Sequence, residues 1–427
     1  MFKHYKTMTE EYLHYLWRFQ ALKPGHWQST KSKSIRVLDP GFHNTDSGPD
    51  FSNARIEIDG QIWAGSVEIH LRSSDWNRHR HQYDEAYNNV ILHVVYEADQ
   101  TVFCTNNYSP PCFEIKGLFD PQLYWRFEQL MQSKMAIPCA NSFLSAPEIA
   151  KQAMLSRCAV ERLEHMSEKL ARLYGKYSGD WYSLVYEKLA VSLLGKANAE
   201  PAETLCEILP IGLLRKIEKP DSRLAFFLGA SGLLSNLDRQ CGAWLSEYKY
   251  LLKKYPIEAM NKLQWKYSRM RPLAFPDRRI ALLSSLIPSA LNWMNSIYSG
   301  DSNLIGDWPK LSDYWASHYR LGKKASSSLS LTISLSLQDR IKINVLAPIL
   351  FFYGRKTAQP EFQDRAQEIW DELPVESNRI VNIYEQLGLS MRSALDSQAL
   401  IAWYRHYCQP KKCLTCTLGK ELLNRNE

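Results

Sequence analysis

The chain has 427 residues, 45% hydrophobic and 23% charged, the balance of a folded globular protein with apolar material for two or three domains. No run of eighteen apolar residues occurs, which excludes a membrane-spanning helix, and "MFKHYKTMTEEYLHYLW" lacks an apolar signal region, so a cytoplasmic protein is expected. The formal charge of +7 is uneven: the first 130 residues carry 13 Lys plus Arg against 16 Asp plus Glu, so the basic excess that would attract nucleic acid lies further on.

In chain order, Thr9 reads as an N-cap opening "EEYLHYLWRFQ", whose Tyr12, Leu13, Leu16, Trp17 and Phe19 make a helical apolar stripe. "SIRVLDPG" is a strand ending at a Pro-Gly turn. "NARIEIDG" and "QIWAGSVEIHL" flank Asp59-Gly60, a strong hairpin signal. Ser73 or Ser74 caps a short helix through "DWNRHRHQYDEAY", "NNVILHVVYE" is a buried strand, and "TVFC" with "CFEI" suggests a further hairpin. Near residue 117 the pattern turns helical, with "DPQLYWRFEQLM", "APEIAKQAMLSRCAVERLEHMSEKLARLYG" and "DWYSLVYEKLAVSLLG" the clearest helices. "SSSLSLTISLSLQ" alternates like a strand, and "INVLAPILFFYG" reads as a buried helix kinked at Pro348. The expected architecture is an α/β N-terminal core with a mixed sheet over residues 1–117, followed by a mostly α-helical domain over residues 118–427.

Within "QIWAGSVEIHL" the strand period of two puts Ser66, Glu68 and His70 on one face and Val67, Ile69 and Leu71 on the other. A hairpin turning at Asp59-Gly60 sets Phe51 opposite Glu68, with room for a one-residue bulge, and so brings Asp50 of "HNTDSGPDF" alongside Glu68. Two carboxylates held that close repel unless a cation lies between them, and Mg²⁺ favours one or two carboxylates with waters and phosphate oxygens.

Pro49-Asp50 ahead of one strand, Glu68-x-His70 on the next and the order helix, three strands, helix, strand resemble the PD-(D/E)XK nuclease superfamily. The likeness covers roughly residues 9 to 97. It implies Asp50 and Glu68 as ligands of Mg²⁺ or Mn²⁺, Glu10 or Glu11 as an acidic residue of the first helix, and His70 where the family has lysine. An imidazole there could act as base, donor or ligand, and would suit Zn²⁺ or Mn²⁺. The whole chain also resembles an uncharacterised bacterial family, domain of unknown function 2851, a likeness that implies no activity.

Five of the eleven histidines fall between positions 43 and 93. His93, in "VILHVVY", reads as a satisfied core histidine. His79 and His81, with Arg78, could line the Glu68 cleft and bind phosphate or metal. Near the C-terminus "YCQPKKCLTC" gives Cys408-x4-Cys413-x2-Cys416, three ligands that need a fourth from Cys139, Cys158 or His406. The spacing is similar to part of plant-type ferredoxin ligation, and some PD-(D/E)XK nucleases staple their ends with such a cluster. An iron–sulfur cluster or Zn²⁺ is therefore expected at Cys408, Cys413, Cys416 and Cys139. "SRMRPLAFPDRRI" concentrates Arg269, Arg271 and Arg278 about Phe275, a composition suited to nucleic-acid contact or to a plain basic helix start.

The sequence reading is metal-dependent phosphodiester hydrolysis of nucleic acid, with Asp50 and Glu68 holding the metal and His70 at the attacking water. The alternatives are a nuclease fold that binds nucleic acid without turnover, and a zinc hydrolase built on the histidine cluster.

Overall fold

The computed structural model describes residues 8–44, 46–302, 304 and 308–424. Residues 1–7, which open the N-terminal stretch read for a signal region, lie outside them. No helix among the described residues is long and apolar enough to cross a membrane.

Two compact units are formed: residues through Met154 together with those from Tyr404 on, and Leu155–Trp403. The division differs from one at residue 117 because burial, not helical content, delimits a core. Leu123, Tyr124 and Phe127 share one apolar cluster with the sheet, and so do Leu414 and Leu423.

The first unit opens with α1 (Glu10–Arg18), capped as expected by Thr9, whose hydroxyl accepts from the Tyr12 N–H at 3.3 Å. Strands β1 (Trp27–Gln28), β2 (Ser34–Asp39), β3 (Phe42–His43), β4 (Phe51–Ile58), β5 (Gln61–Arg72), β6 (Val90–Glu97) and β7 (Cys112–Glu114) form one sheet. Their order is β1-β2-β4-β5-β6-β7, with β3 pairing β4. The β2–β4 and β4–β5 pairs are antiparallel; β5–β6 and β6–β7 are parallel. Between β5 and β6 runs a crossover holding the short α2 (Asp75–Arg78) and two 3₁₀ turns. Helix α3 (Pro121–Gln132) comes after the sheet.

The β4–β5 hairpin turns where expected. Asp59 and Gly60 both take positive φ, +49° and +79°, as the twist-matched two-residue turn requires. Register holds from Ile58↔Gln61 to Ala54↔Gly65 and then shifts, so Phe51 pairs with Val67 rather than Glu68. The slip falls at Asn53, whose φ is +58°, the mark of a bulge that re-aims the start of β4. Gly65 fixes the other flank: a Cβ there would come within 2.5 Å of the Asn89 carbonyl and the Ile91 side chain, so glycine lets β6 close on β5.

One face of the sheet is apolar. Phe51, Val67, Ile69, Leu92 and Val94 pack with Leu13, Leu16 and Trp17 of α1, each large side chain contributing about 2 kcal/mol. Trp76 and Tyr87 of the crossover form a smaller cluster with Val90 of β6 and with Val102 and Cys104 of the loop that follows it.

Two expected strands are absent. Residues 101–110 form a loop, with the Cys104 N–H on the Tyr108 carbonyl and Asn107 at φ +63°, and β7 pairs with β6 instead of forming a hairpin. The alternation of "SSSLSLTISLSLQ" makes no strand: Ile333 and Leu331 dip against a helical core, and the next element is the helix Leu335–Ile341. That helix continues through a π-turn, Lys342–Leu346, into Ala347–Thr357. Pro348 offers no N–H to the helix, and the wider turn just before it absorbs the mismatch.

Candidate metal centre

The register slip places the two expected carboxylates side by side. The Asp50 N–H donates to Glu68 Oε2 at 3.1 Å, and Asp50 Oδ2 accepts from the Ile69 N–H at 2.9 Å. Each carboxylate thus ties down the other strand. Asp50 Oδ2 also lies 3.2 Å from His14 Nε2.

Glu68 Oε1 faces the histidines. It lies 3.4 Å from His70 Nε2 and 3.2 Å from His81 Nε2. His70 Nε2 is 3.2 Å from His79 Nδ1, and His70 Nδ1 is 2.9 Å from His93 Nε2. Among the described residues, His70, His79 and His81 form a group whose ligand atoms all lie within 4.8 Å of one another. Exposure is 4% at Glu68, 1% at His70, 9% at His81 and 0% at His93, while His79 is exposed, so the cluster opens on that side.

Local structure explains how two histidines so close in sequence both reach His70. Two residues apart on a continuing helix they would point to different sides. Helix α2 instead ends at His79, and Arg80 takes a left-handed conformation, φ +66° and ψ +25°. Tyr87 stacks on the His81 ring at 3.8 Å, and Trp76 abuts both His81 and His93 edge-on or tilted. Trp76 is anchored by its indole N–H on the Phe103 carbonyl at 3.1 Å.

Burial dominates the electrostatics. It pushes the Glu68 carboxyl up to about 9, with the neighbouring charge of Asp50 adding to the rise. Burial, then the surrounding imidazoles of His93, His81 and His79, holds His70 well below the ordinary histidine value. His93 is brought down to about 3, by burial first and His81 second, and burial lowers His81. His70, His81 and His93 thus offer lone pairs while resisting protonation, whereas the same burial favours the protonated form of Glu68. His14 differs: burial pulls its value down, but the contact and charge of Asp50, with Glu10 and Glu68, raise it overall.

The other expected site residues are scattered. Glu11 is exposed on α1 and its charge acts on Cys413, whereas Glu10 and His14, one turn apart, act on the Glu68 site. His14 was legible only through that i, i+4 spacing. Arg78 is exposed and pairs with Asp75 at 3.1 Å. Arg269 and Arg271 are exposed in the other unit. Arg278 is buried and donates to the Trp315, His318 and Ser330 carbonyls, so it braces the helical unit and presents no charge to a nucleic acid.

Cys408, Cys413 and Cys416 are buried. The Cys416 N–H donates to the Cys413 carbonyl at 3.3 Å, closing a one-turn Cys-x2-Cys. Cys139 belongs to the same unit, and burial, then the charges of Cys416 and Cys413, pushes its thiol up to about 12.

The family model described as protein of unknown function, DUF2851, matches residues 10–379. The chain belongs to this family. The DUF2851 match takes in α1, the whole sheet, Glu68 and His14, His70, His79, His81 and His93, and leaves Cys408, Cys413 and Cys416 beyond its end. No curated protein and no solved structure matches the chain.

Proposed function

We propose that this DUF2851 chain catalyses divalent-metal-dependent hydrolysis of phosphodiester bonds, with nucleic acid as the substrate class. The observation that carries the reading is the buried Glu68 carboxyl, set beside Asp50 and against His70 and His81, with His79 converging on the same two histidines. Support for phosphodiester chemistry comes from the order of elements: a helix, an antiparallel hairpin with Asp50 at the start of one strand and Glu68 on the next, then a parallel strand. That order resembles the PD-(D/E)XK nuclease superfamily, and DUF2851 would be a histidine-rich variant of it.

In this reading Glu68 is the metal-holding carboxylate and His70 stands as a neutral ligand, since burial removes it from the titration range of a base. Asp50 serves differently. One of its oxygens is committed to the Ile69 N–H and to His14, so it orients His14. The bound ion would lower the pKa of the attacking water and offset charge on the phosphate. The water oxygen bonds to phosphorus, the ester P–O bond breaks, and the His14–Asp50 pair takes the water's proton and returns one to the departing oxygen.

The test is the full-length protein stripped with chelator, given Mg²⁺, Mn²⁺ or Zn²⁺, and assayed on mixed single- and double-stranded DNA and RNA. Metal-restored cleavage that Glu68→Gln lowers by about 10²-fold or more is expected. No cleavage with any of the ions sinks the proposal. Turnover of small esters alone would transfer the site to the zinc-hydrolase reading.

A further inference from the structure

The spacing of the ligand atoms carries more than the presence of a cation. A tetrahedral ion with arms of about 2.0–2.1 Å to nitrogen and oxygen has ligand–ligand edges of about 3.3 Å. Three contacts here are of that length, 3.4 Å (Glu68 Oε1 to His70 Nε2), 3.2 Å (Glu68 Oε1 to His81 Nε2) and 3.2 Å (His70 Nε2 to His79 Nδ1), and the ligand atoms of His70, His79 and His81 all lie within 4.8 Å of one another. His81 Nε2 makes no hydrogen bond despite that contact and its burial, as a lone pair directed between the ligands rather than at one of them would. Mg²⁺ suits neither the donors nor the spacing, since it takes oxygen ligands in an octahedron.

We infer that the centre takes a zinc-class transition ion through His70, His79 and His81 beside the Glu68 carboxylate, with one position open to water, and that His93 is the positioning residue that holds His70 in ligand form. This deepens the proposed function and rests on its premise of a metal at Glu68. His93 acts through a tautomer. When His70 donates its Nδ1–H to His93 Nε2, 2.9 Å away, its Nε2 is left as a lone pair on the Glu68 side. Histidine ligands are commonly held this way by a carboxylate or carbonyl; here a second, fully buried imidazole does it. Substrate would enter beside the exposed His79, at that open position.

The test titrates chelator-stripped full-length protein with Co²⁺ and with Zn²⁺. Expected are the intense visible bands of four-coordinate cobalt, lost in a difference spectrum against His81→Ala. His93→Leu should weaken Zn²⁺ affinity about 10–100-fold, while His93→Gln, which returns an acceptor at the same reach, should stay within a few-fold of wild type. Weak six-coordinate bands, a difference spectrum carrying the near-ultraviolet thiolate band, or cleavage supported by Mg²⁺ with no tight Co²⁺ would overturn the ion assignment and leave the hydrolase reading standing. Equal affinities for wild type and His93→Leu would overturn the role of His93. Tetrahedral cobalt in a protein that cleaves nothing would instead overturn the proposed function alone.

Discussion

His81 Nε2 lies 3.2 Å from Glu68 Oε1, both side chains buried, and the nitrogen makes no hydrogen bond there. A buried carboxyl with such a neighbour is costly in the metal-free protein and useful only when a cation joins them. Glu68→Gln keeps the shape and removes the charge. In chelator at pH 8 this variant should melt at or above wild type, whereas with Zn²⁺ wild type should gain and the variant should not. Parallel thermal melts read both arms. A variant that melts well below wild type in chelator would mean that Glu68 serves the fold.

Arg80 stands between the two histidines of the crossover in a conformation that glycine adopts freely and β-branched residues avoid. Arg80→Gly should therefore retain metal, with stability equal or up to about 1 kcal/mol higher. Arg80→Val should cost about 1–2 kcal/mol and weaken metal binding at least 10-fold, because His79 and His81 lose their common aim. Urea denaturation and Zn²⁺ titration of both variants decide it. Equal metal affinity in the two would show that the turn is not what sets the pair.

The pH dependence of metal-free stability carries two opposite signs. His93 is held to about 3 in the fold, and His70 is also held low, both chiefly by burial. Unfolding returns them to about 6.5, so below that value the unfolded chain binds more protons and stability falls as pH drops. Glu68 is held up to about 9 in the fold, so from about 4.5 upward the unfolded chain binds fewer protons and stability falls as pH rises. Chelated protein should thus be most stable near pH 6.5. Glu68→Gln should flatten the alkaline side and steepen the rise between about pH 4.5 and 6.5. Melts from pH 4 to 9 measure this, and an unchanged alkaline decline in the variant would count against the Glu68 assignment.

Arg278 donates to three backbone carbonyls from a nearly enclosed position. Arg278→Met should destabilise the protein by about 2–4 kcal/mol, leaving those acceptors unmet. It should leave the salt dependence of any nucleic-acid binding unchanged, since a residue with no free charge releases no counterion. A reduced salt slope would restore Arg278 to the binding surface.

The cysteine pair and Cys139 are close enough to act electrostatically on one another. If an iron–sulfur cluster or Zn²⁺ is held there, protein prepared without oxygen should contain iron or zinc that Cys416→Ser loses selectively and Glu68→Gln retains. Equal metal content in the variant and wild type would leave the cysteines as packing residues.

Local chemistry in the sequence was enough for the Thr9 cap, the Asp59-Gly60 turn and the alternation that sets Glu68 and His70 on one face of β5. Each depends on neighbours within a few residues, where side-chain type and backbone preference act directly. The pairing of Asp50 with Glu68 was within reach of hairpin arithmetic, but only the bulge at Asn53 made it so. What closed around Glu68 was not readable. His14 arrives from a helix, His93 from a parallel strand, and His79 and His81 through a left-handed Arg80; no local period encodes those meetings. The alternating serine-rich stretch failed as a strand for the same reason: period two records which side chains are buried, and a helical surface buried them as well as a sheet would. Tertiary packing decided which imidazoles lost water, and with it which of them resist protonation.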